Sequence, residues 1–341
     1  MGTAAEHAVL DGLRAAPLPV LTAAWRAVWA RYEPSVRWPF QPVIDAGPGP
    51  DLVPDRPAHS WAAGRGARVP VITGFDSHEG TAFVPKSAAT SADFRDFFRV
   101  LIPTFSDPDL DALEKLYPDP TTDAGKTAPY AQRRLPDGCG PQFWRLENAY
   151  AHYAYIFPVL MTAHHVALRG QSARVYEFAA RAAPYDAANH GDEAPVAAHD
   201  MDLLAALPGL TAVADAMHGS FARFAAAPAS AGRSTDARLD LGAVGDVAEW
   251  PEFVSPFDEH GRPKTRREGD GVGLILVFGE GNDERSFVGS GARVRGRAPG
   301  VPARVRALTG LEVEQCKFWW DRVGLSQGMG RRNDEGPRAK L

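Results

Sequence analysis

The stretch Val69–Phe83, VPVITGFDSHEGTAF, decides the fold because it joins a short apolar run to a polar turn. Its β-branched residues predict a buried strand, and the turn that follows presents Glu79. A second stretch, Val175–Glu193 (VYEFAARAAPYDAANHGDE), repeats the arrangement with an apolar strand and a loop that presents His190. In a parallel sheet the loops that follow the strands lie at one edge. We therefore expect the two side chains to meet at one edge of a common sheet.

A third apolar run, GVGLILVF, is also typical of a strand. Continuous rather than alternating hydrophobicity favours strands that are covered on both faces, as in a mostly parallel sheet. Helical patterns separate the three runs, so the sequence predicts an α/β fold with helices flanking the sheet. The predicted strands are Val69–Phe75, Arg174–Ala180 and Gly271–Phe278, and the predicted helices are Ser91–Ile102, Asp107–Tyr117, Gln142–Arg169 with a kink or break at Pro158, Pro208–Ala226 and Gln315–Val323.

Two stretches predict loops. Pro228–Gly271 is rich in glycine, proline and charge, and Asn282–Gly310 contains a series of arginines. Without interleaved aromatic residues or a recognised module, a solvated basic loop is favoured over a phosphate-binding or nucleic-acid patch. The arginines are Arg285, Arg293, Arg295, Arg297, Arg304 and Arg306.

The composition fits a globular protein with a sizeable core, since 45% of the 341 residues are hydrophobic and 23% are charged. A net charge of −5 argues against a dedicated nucleic-acid or anionic-membrane surface. The N-terminus lacks the basic-then-apolar pattern of a signal peptide. The end, Ala339-Lys340-Leu341, differs by one residue from the Ser-Lys-Leu peroxisomal address, although an arbitrary polar tail is the favoured interpretation. A peroxisomal and a cytoplasmic location both stay open.

Glu79 and His190 are the candidate catalytic residues. A carboxylate that accepts a hydrogen bond from an imidazole fixes the tautomer of the ring and stabilises its protonated form. Taken singly, Glu79 suits a surface ion pair and His190 suits a structural histidine. Together they match the last two members of the Ser, Asp/Glu, His order of α/β-hydrolases. The serine would precede Glu79, but residues 1–78 contain no strand, Gly-x-Ser-x-Gly and helix in succession.

Two other patterns are weaker. Gly324–Gly328 (GLSQG) matches Gly-x-Ser-x-Gly, but a helical pattern precedes it and it follows the histidine, which is the wrong order for a nucleophile elbow. The group Asp192, Glu193, His199 and Asp200 suggests a metal site, but these residues are spread over a loop without ligand spacing. The sequence therefore predicts no nucleophile, no metal site and no cofactor.

Several segments in order resemble the C-terminal half to two-thirds of the type-B carboxylesterase/cholinesterase-like family. The resemblance begins near Leu13 and extends over most of the chain. The segments are LRAAPLPVLTAAW, WPFQPVIDAGPG, VPVITGFDSHEGTAF, ANHGDE, MHGSFARFAAAP before Trp250-Pro251, LILVFGEG and EQCKFWWDRV.

The resemblance implies that Glu79 is the triad acid, that His190 is the triad base, and that Glu193 supports the histidine loop. Cys316 resembles a disulfide cysteine of the family. Its expected partner falls near Phe157, so the bridge is lost unless Cys139 substitutes.

The family's nucleophile elbow and oxyanion loop have no counterpart in this sequence. We therefore expect an incomplete α/β-hydrolase fold without its N-terminal strands, in which residues 1–330 form part of one domain and residues 331–341 a polar tail. Such a fold is expected to expose a strand edge and apolar helix faces.

The resemblance implies a carboxylic ester hydrolase that uses a small-molecule ester and transfers an acyl group to water. Because the serine is not found, we expect the chain to be inactive alone. One alternative is a non-catalytic binding or interaction protein on a hydrolase scaffold. Another is one half of a split esterase that associates with a serine-bearing half. The sequence indicates no nucleic-acid or membrane partner.

Overall fold

A computed structural model describes residues 4–32, 42–44, 52–227, 241–265, 270–285, 287–288, 292–293 and 298–326. The expected polar tail, the terminal Ala339-Lys340-Leu341 and parts of both predicted loops lie outside these ranges. No helix in the described ranges has the length and apolar character needed to cross a bilayer.

The main sheet has four strands in the order β1-β2-β3-β6. The first three strands run parallel, and β6 pairs antiparallel with β3. The prediction of an α/β fold with a mostly parallel sheet is therefore confirmed, and the three predicted strands are all present. The strands are β1 (Val71–Asp76), β2 (Ala173–Phe178), β3 (Leu274–Glu280) and β6 (Val301–Ala307), with a separate ribbon of β4 (Phe287–Val288) and β5 (Ala292–Arg293).

Helices flank this sheet. Five predicted helices are present with shifted ends, together with further helices that were not predicted. The α-helices are α1 (Ala4–Ala15), α2 (Leu18–Tyr32), α3 (Pro57–Ala62), α4 (Ser91–Leu101), α5 (Asp107–Leu116), α6 (Phe143–Ala151), α7 (Phe157–Leu168), α8 (Ala194–Ala197), α9 (Met201–Ala206), α10 (Thr211–Ala226) and α11 (Gly310–Ser326). Short 3₁₀ segments occupy Pro129–Gln132 and Pro208–Leu210.

The prediction of an uninterrupted loop over Asn282–Gly310 was wrong, because this stretch contains β6. Two of its arginines, Arg304 and Arg306, lie on one face of the strand and form ion pairs with carboxylates of neighbouring elements. In the sequence the arginines suggested a solvated loop, because their carboxylate partners lie elsewhere in the chain. Once they are paired with those carboxylates, the arginines are compatible with a strand.

The long predicted helix Gln142–Arg169 is divided, as its proline suggested. A π-helical turn, His152–Ile156, joins α6 to α7, and Pro158 lies in the first turn of α7. Proline has no N–H to donate to the preceding turn, so a change of helical hydrogen bonding at this point is expected. The turn brings Tyr155 toward the candidate site.

Alternation along the strands divides the core between the two faces of the sheet. Val175 and Ile275 belong to the cluster that contains α4–α7 and α11. Phe178 and Leu276 belong to the cluster that contains α10. The sheet is therefore covered on both faces, and the strand ends that form the candidate site lie between two packed layers.

The structure shows the exposed features that an incomplete fold was expected to have. β1 is an edge strand of the described sheet. Among the side chains of α1 and α2 that the structure describes, none belongs to either core cluster, and several large apolar ones are exposed. They are Val9, Leu10, Leu13, Leu18, Val20, Trp25 and Val28.

Candidate active site

Glu79 and His190 meet at the carboxyl ends of β1 and β2, as the strand order requires. Glu79 Oε2 lies 2.6 Å from His190 Nδ1, a charge-assisted hydrogen-bond distance. The carboxylate is buried, whereas 44% of the His190 side chain is exposed. Within the described chain Nε2 has no hydrogen-bond partner. The imidazole is therefore fixed at one nitrogen and open at the other.

The turn after β1 holds the Glu79 carboxylate through a backbone N–H and is itself bonded to α6. The other carboxylate oxygen, Oε1, accepts the backbone N–H of Asp76 at 2.8 Å. The next residue, Gly80, donates its N–H to Glu147 Oε1 of α6 at 3.1 Å. A Cβ at Gly80 would lie 2.5 Å from the backbone oxygen of Glu147, so only glycine allows this close approach.

The histidine loop runs alongside this turn and is fastened to it. His78 N–H donates to the Ala188 carbonyl at 2.9 Å, and Thr81 Oγ1 donates to Asn189 Oδ1 at 3.0 Å. Asn189 also donates its backbone N–H to Asp192 Oδ2 at 2.8 Å. These bonds on either side of the Glu79–His190 contact fix the two loops relative to each other.

Two further features set the direction of the loop. Gly191 adopts a φ of +83°, a conformation that lets the chain turn immediately after His190. Arg285, which follows β3, donates to the Asp192 carbonyl at 3.1 Å and to the Ala180 carbonyl at 3.2 Å. A buried guanidinium thereby joins both ends of the histidine loop.

Aromatic rings enclose one side of the imidazole. The ring of Tyr155, placed by the π-helical turn, lies 4.6 Å from the His190 ring. Phe83 meets the same ring edge-on at 5.4 Å. Burial and the nearby Glu79 raise the pKa of Tyr155 to about 12, so its hydroxyl is neutral around neutral pH.

The electrostatic environment favours a protonated imidazole. The hydrogen bond that His190 donates to Glu79 raises the pKa of the imidazole, against the opposing effect of partial burial. The Glu193 carboxylate acts in the same direction from a greater distance. An imidazolium formed at Nε2 would therefore be stabilised where it arises.

Glu193 immediately precedes α8 and acts on Asp76, the last residue of β1. Burial and the neighbouring carboxylates, Glu193 first among them, raise the pKa of Asp76 to about 10. Burial also raises the pKa of Glu147 to about 8. Three acids beyond Glu79 therefore surround the turn, two of them with a strong tendency to remain protonated.

The structure places the other candidates elsewhere or in other contacts. Ser326 is the last residue of α11, and its hydroxyl donates to the Val323 carbonyl at 3.0 Å, so it is not on a strand-to-helix turn. His199 contacts Asp215 at 2.8 Å. Over the described ranges no three acids, histidines or cysteines are grouped in a way that could hold a metal ion. Cys139 and Cys316 are free thiols, so Cys139 does not replace the lost disulfide partner.

Sequence reasoning did not single out several residues that hold the site together. Glu147 lies on an apolar helix, Arg285 in a stretch interpreted as a solvated loop, and Asp76 three residues before Glu79. One available signal was a charged residue within an otherwise apolar helical face, which applies to Glu147. The other two become visible only through their three-dimensional neighbours.

Comparison with known proteins found no family model that matches the chain. Secreted lipase 4 of Gibberella zeae is 31% identical over 165 residues, which span 48% of this chain and 28% of the lipase. EstA of Aspergillus niger, known from a crystal structure, is similar in fold with a TM-score of 0.54 and 19% identity. That match covers 85% of this chain and 46% of EstA.

The chain therefore spans less than half the length of both relatives. At this level of identity the likeness to EstA concerns the fold alone. The lipase adds a partial sequence similarity. Together the comparisons show an α/β-hydrolase-like fold and a partial sequence similarity to a secreted lipase.

Proposed function

We propose that this chain provides the acid–base part of a serine carboxylic ester hydrolase of the type-B carboxylesterase/cholinesterase-like kind. The observation that supports this most directly is the 2.6 Å contact between Glu79 Oε2 and His190 Nδ1, with Nε2 left open. Glu79 is the acid that orients the ring, and His190 is the general base. The partial similarity to a secreted lipase agrees with this chemistry.

The geometry supports a specific role for each of the two residues. With Nδ1–H donated to Glu79, the neutral tautomer presents a lone pair at Nε2. That lone pair accepts the proton of an attacking hydroxyl, and the buried carboxylate stabilises the resulting imidazolium. The same nitrogen then returns the proton to the leaving alcohol. Neither step needs a metal or an organic cofactor.

The nucleophile is proposed to come from residues other than those described here. Ser326 lies at the end of α11 and lacks the strand-to-helix turn that activates such a serine. Loss of a serine nucleophile lowers turnover by about 10⁶ in a serine protease. The chain alone is therefore expected to show only background ester hydrolysis, and a small-molecule ester is its proposed substrate once the serine is supplied.

A second candidate comes from another class, a non-catalytic interaction protein on the same scaffold. The observation that favours it is the set of exposed apolar side chains on α1 and α2, which no core cluster contains. A split esterase would use the same surface for its serine-bearing half. Catalytic labelling distinguishes these two possibilities.

The test compares the chain alone with a version extended by the residues encoded in frame upstream of Met1. Reaction with a fluorophosphonate and hydrolysis of a p-nitrophenyl ester are measured for both. We expect labelling only in the extended version, lost with His190→Ala and retained with His199→Ala, a matched histidine–carboxylate pair. Hydrolysis by the chain alone that His190→Ala abolishes would place the nucleophile within it. An extended version that never labels would favour the interaction protein.

A further inference from the structure

Three buried carboxyl oxygens near the candidate site lack a hydrogen-bond donor. Asp76 is 1% exposed, and neither Oδ1 nor Oδ2 has a partner in the described ranges. Glu193 Oε2 is in the same condition. A buried carboxylate without any donor is costly, so these atoms require an explanation.

One of the two residues belongs to the segment of Glu79 and the other to the segment of His190. Asp76 ends β1, and its backbone N–H donates to Glu79 Oε1 at 2.8 Å. Glu193 immediately precedes α8, three residues after His190. The loops that carry them run side by side, since His78 N–H donates to the Ala188 carbonyl, and Glu193 follows burial as a cause of the raised pKa of Asp76. A bond between them would therefore join the turn that carries Glu79 to the loop that carries His190.

Two facing carboxyl groups cannot both be ionised in a buried site, but one shared proton satisfies both. Of the two, Asp76 is the more buried and has two unpaired oxygens, so it retains the proton. The pKa of Asp76, raised to about 10 by burial and then by Glu193, agrees with this assignment.

We propose that Asp76 is a neutral carboxylic acid that donates its O–H to the Glu193 carboxylate and so positions the His190 loop. This makes Asp76 a positioning residue for the function proposed above. The proposal rests on that function for its role, whereas the protonation of Asp76 does not depend on it.

The other charged and titratable groups around Asp76 are already engaged or neutral. On the turn, Glu79 pairs with His190. On the loop, Asp192 accepts hydrogen bonds from Asn189 and lies 3.5 Å from Arg285. On β2, burial raises the pKa of Tyr176 well above its usual value, and Glu177 pairs with Arg306. None of these groups provides Asp76 with a donor.

Protonation of Asp76 has a defined effect on stability. In the unfolded chain the carboxyl ionises near its usual pKa of about 4. Because the folded pKa lies higher, its stabilising contribution is complete below about pH 4 and declines as the pH rises toward about 10. Asp76→Asn, which mimics the neutral acid, should therefore melt at a higher temperature than the wild type at about pH 9 and show little difference at about pH 4.

The first test is infrared difference spectroscopy of the whole chain at about pH 8, where an ordinary aspartate is ionised. We expect the wild type to show the carbonyl stretch of protonated carboxylic acids, with one component, sensitive to deuteration, that is lost in Asp76→Asn, while a component from Glu147 remains. Asp202→Asn removes an exposed acid of α9 and should leave the band unchanged. Absence of an Asp76-dependent band would overturn the proposal.

The second test is the NMR titration of the His190 imidazole, which reports charge and position together. If Asp76 is neutral, Asp76→Asn changes no charge and keeps a donor for Glu193, so the His190 pKa stays where it is. Asp76→Ala removes the donor that positions the loop and should lower the pKa of His190. Glu193→Gln should also lower the pKa of His190, because it removes a nearby carboxylate. A lowered His190 pKa in Asp76→Asn would mean that Asp76 is ionised, and the proposal would be wrong. Neither test requires ester hydrolysis, so failure of the proposed function gives a different result.

Discussion

His190 is expected to depend on one carboxylate for its protonation. Glu79→Gln replaces that carboxylate with a neutral amide, so the pKa of His190 should fall from its raised value. A raised pKa stabilises the fold below the unfolded value and loses this effect as the pH passes the folded pKa. The variant should therefore lose more stability at about pH 5 than at about pH 9. NMR titration and thermal melts measure the two effects.

The matched control is Asp215→Asn, which removes the carboxylate from the exposed His199 pair. It should leave the titration of His190 unchanged. A Glu79→Gln chain whose His190 titrates as in the wild type would contradict the assignment of Glu79 as the acid that orients the ring.

For single residues, the sequence was informative where a chemically reactive side chain directly follows a predicted strand. Glu79 and His190 each follow an apolar strand, so their meeting followed from parallel strand ends. Asp76 and Arg285 carried no such signal, because their roles depend on burial and on carbonyl groups that only the folded loop brings near. The sequence therefore predicted the two central residues, Glu79 and His190, but not the contacts that hold their loops in place.

The turn that presents Glu79 is expected to tolerate no side chain at Gly80. A Cβ there would lie 2.5 Å from the Glu147 backbone oxygen, and the helix backbone cannot move away without a cost in stability. Gly80→Ala should cost about 1–3 kcal/mol, the usual range for overpacking, and should weaken the Glu79–His190 contact. Chemical denaturation measures the loss. Gly310→Ala, where a Cβ meets open space, is the control and should be close to neutral. Equal effects of the two substitutions would contradict the packing argument.

Strand β6 shows why charged strands escape sequence analysis, and it makes a testable claim. Arg306 pairs with Glu177 of β2 at 2.6 Å and with Glu312 of α11 at 2.7 Å, all three side chains being largely buried. Arg306→Met leaves two buried carboxylates without their cation and should cost about 3 kcal/mol. Arg304→Met on the same face breaks a more exposed pair with Glu280 and should cost about 1 kcal/mol or less.

Urea denaturation of the two arginine variants decides the point. Equal losses in the free energy of unfolding would mean that burial does not distinguish the two ion pairs. Strand β6 would then be held by its backbone hydrogen bonds alone. The sequence could not make this distinction, because a string of arginines looks solvated until the opposing carboxylates are known.

Among the residues that the structure describes, two surfaces are of a kind that a monomer rarely leaves uncovered. One is the edge of β1 with which no described strand pairs. Val71 N–H donates to the Ser172 carbonyl, so the N–H groups of Ile72 and Gly74 point away from β2. The other is the apolar surface of α1 and α2. Unpaired strand edges and large apolar patches both favour association.

We therefore expect the chain to associate with itself as its concentration rises, which light scattering after size exclusion detects. Leu13→Glu combined with Leu18→Glu should weaken this association about tenfold or more, because each buried leucine contributes about 1.5–3 kcal/mol. Leu168→Glu replaces an exposed leucine of α7 and is the control. A chain that stays monomeric at every concentration and melts in one cooperative step would contradict this expectation. Such behaviour would instead favour the non-catalytic interaction protein, because a chain that is stable as a monomer does not need a serine-bearing part to complete its fold.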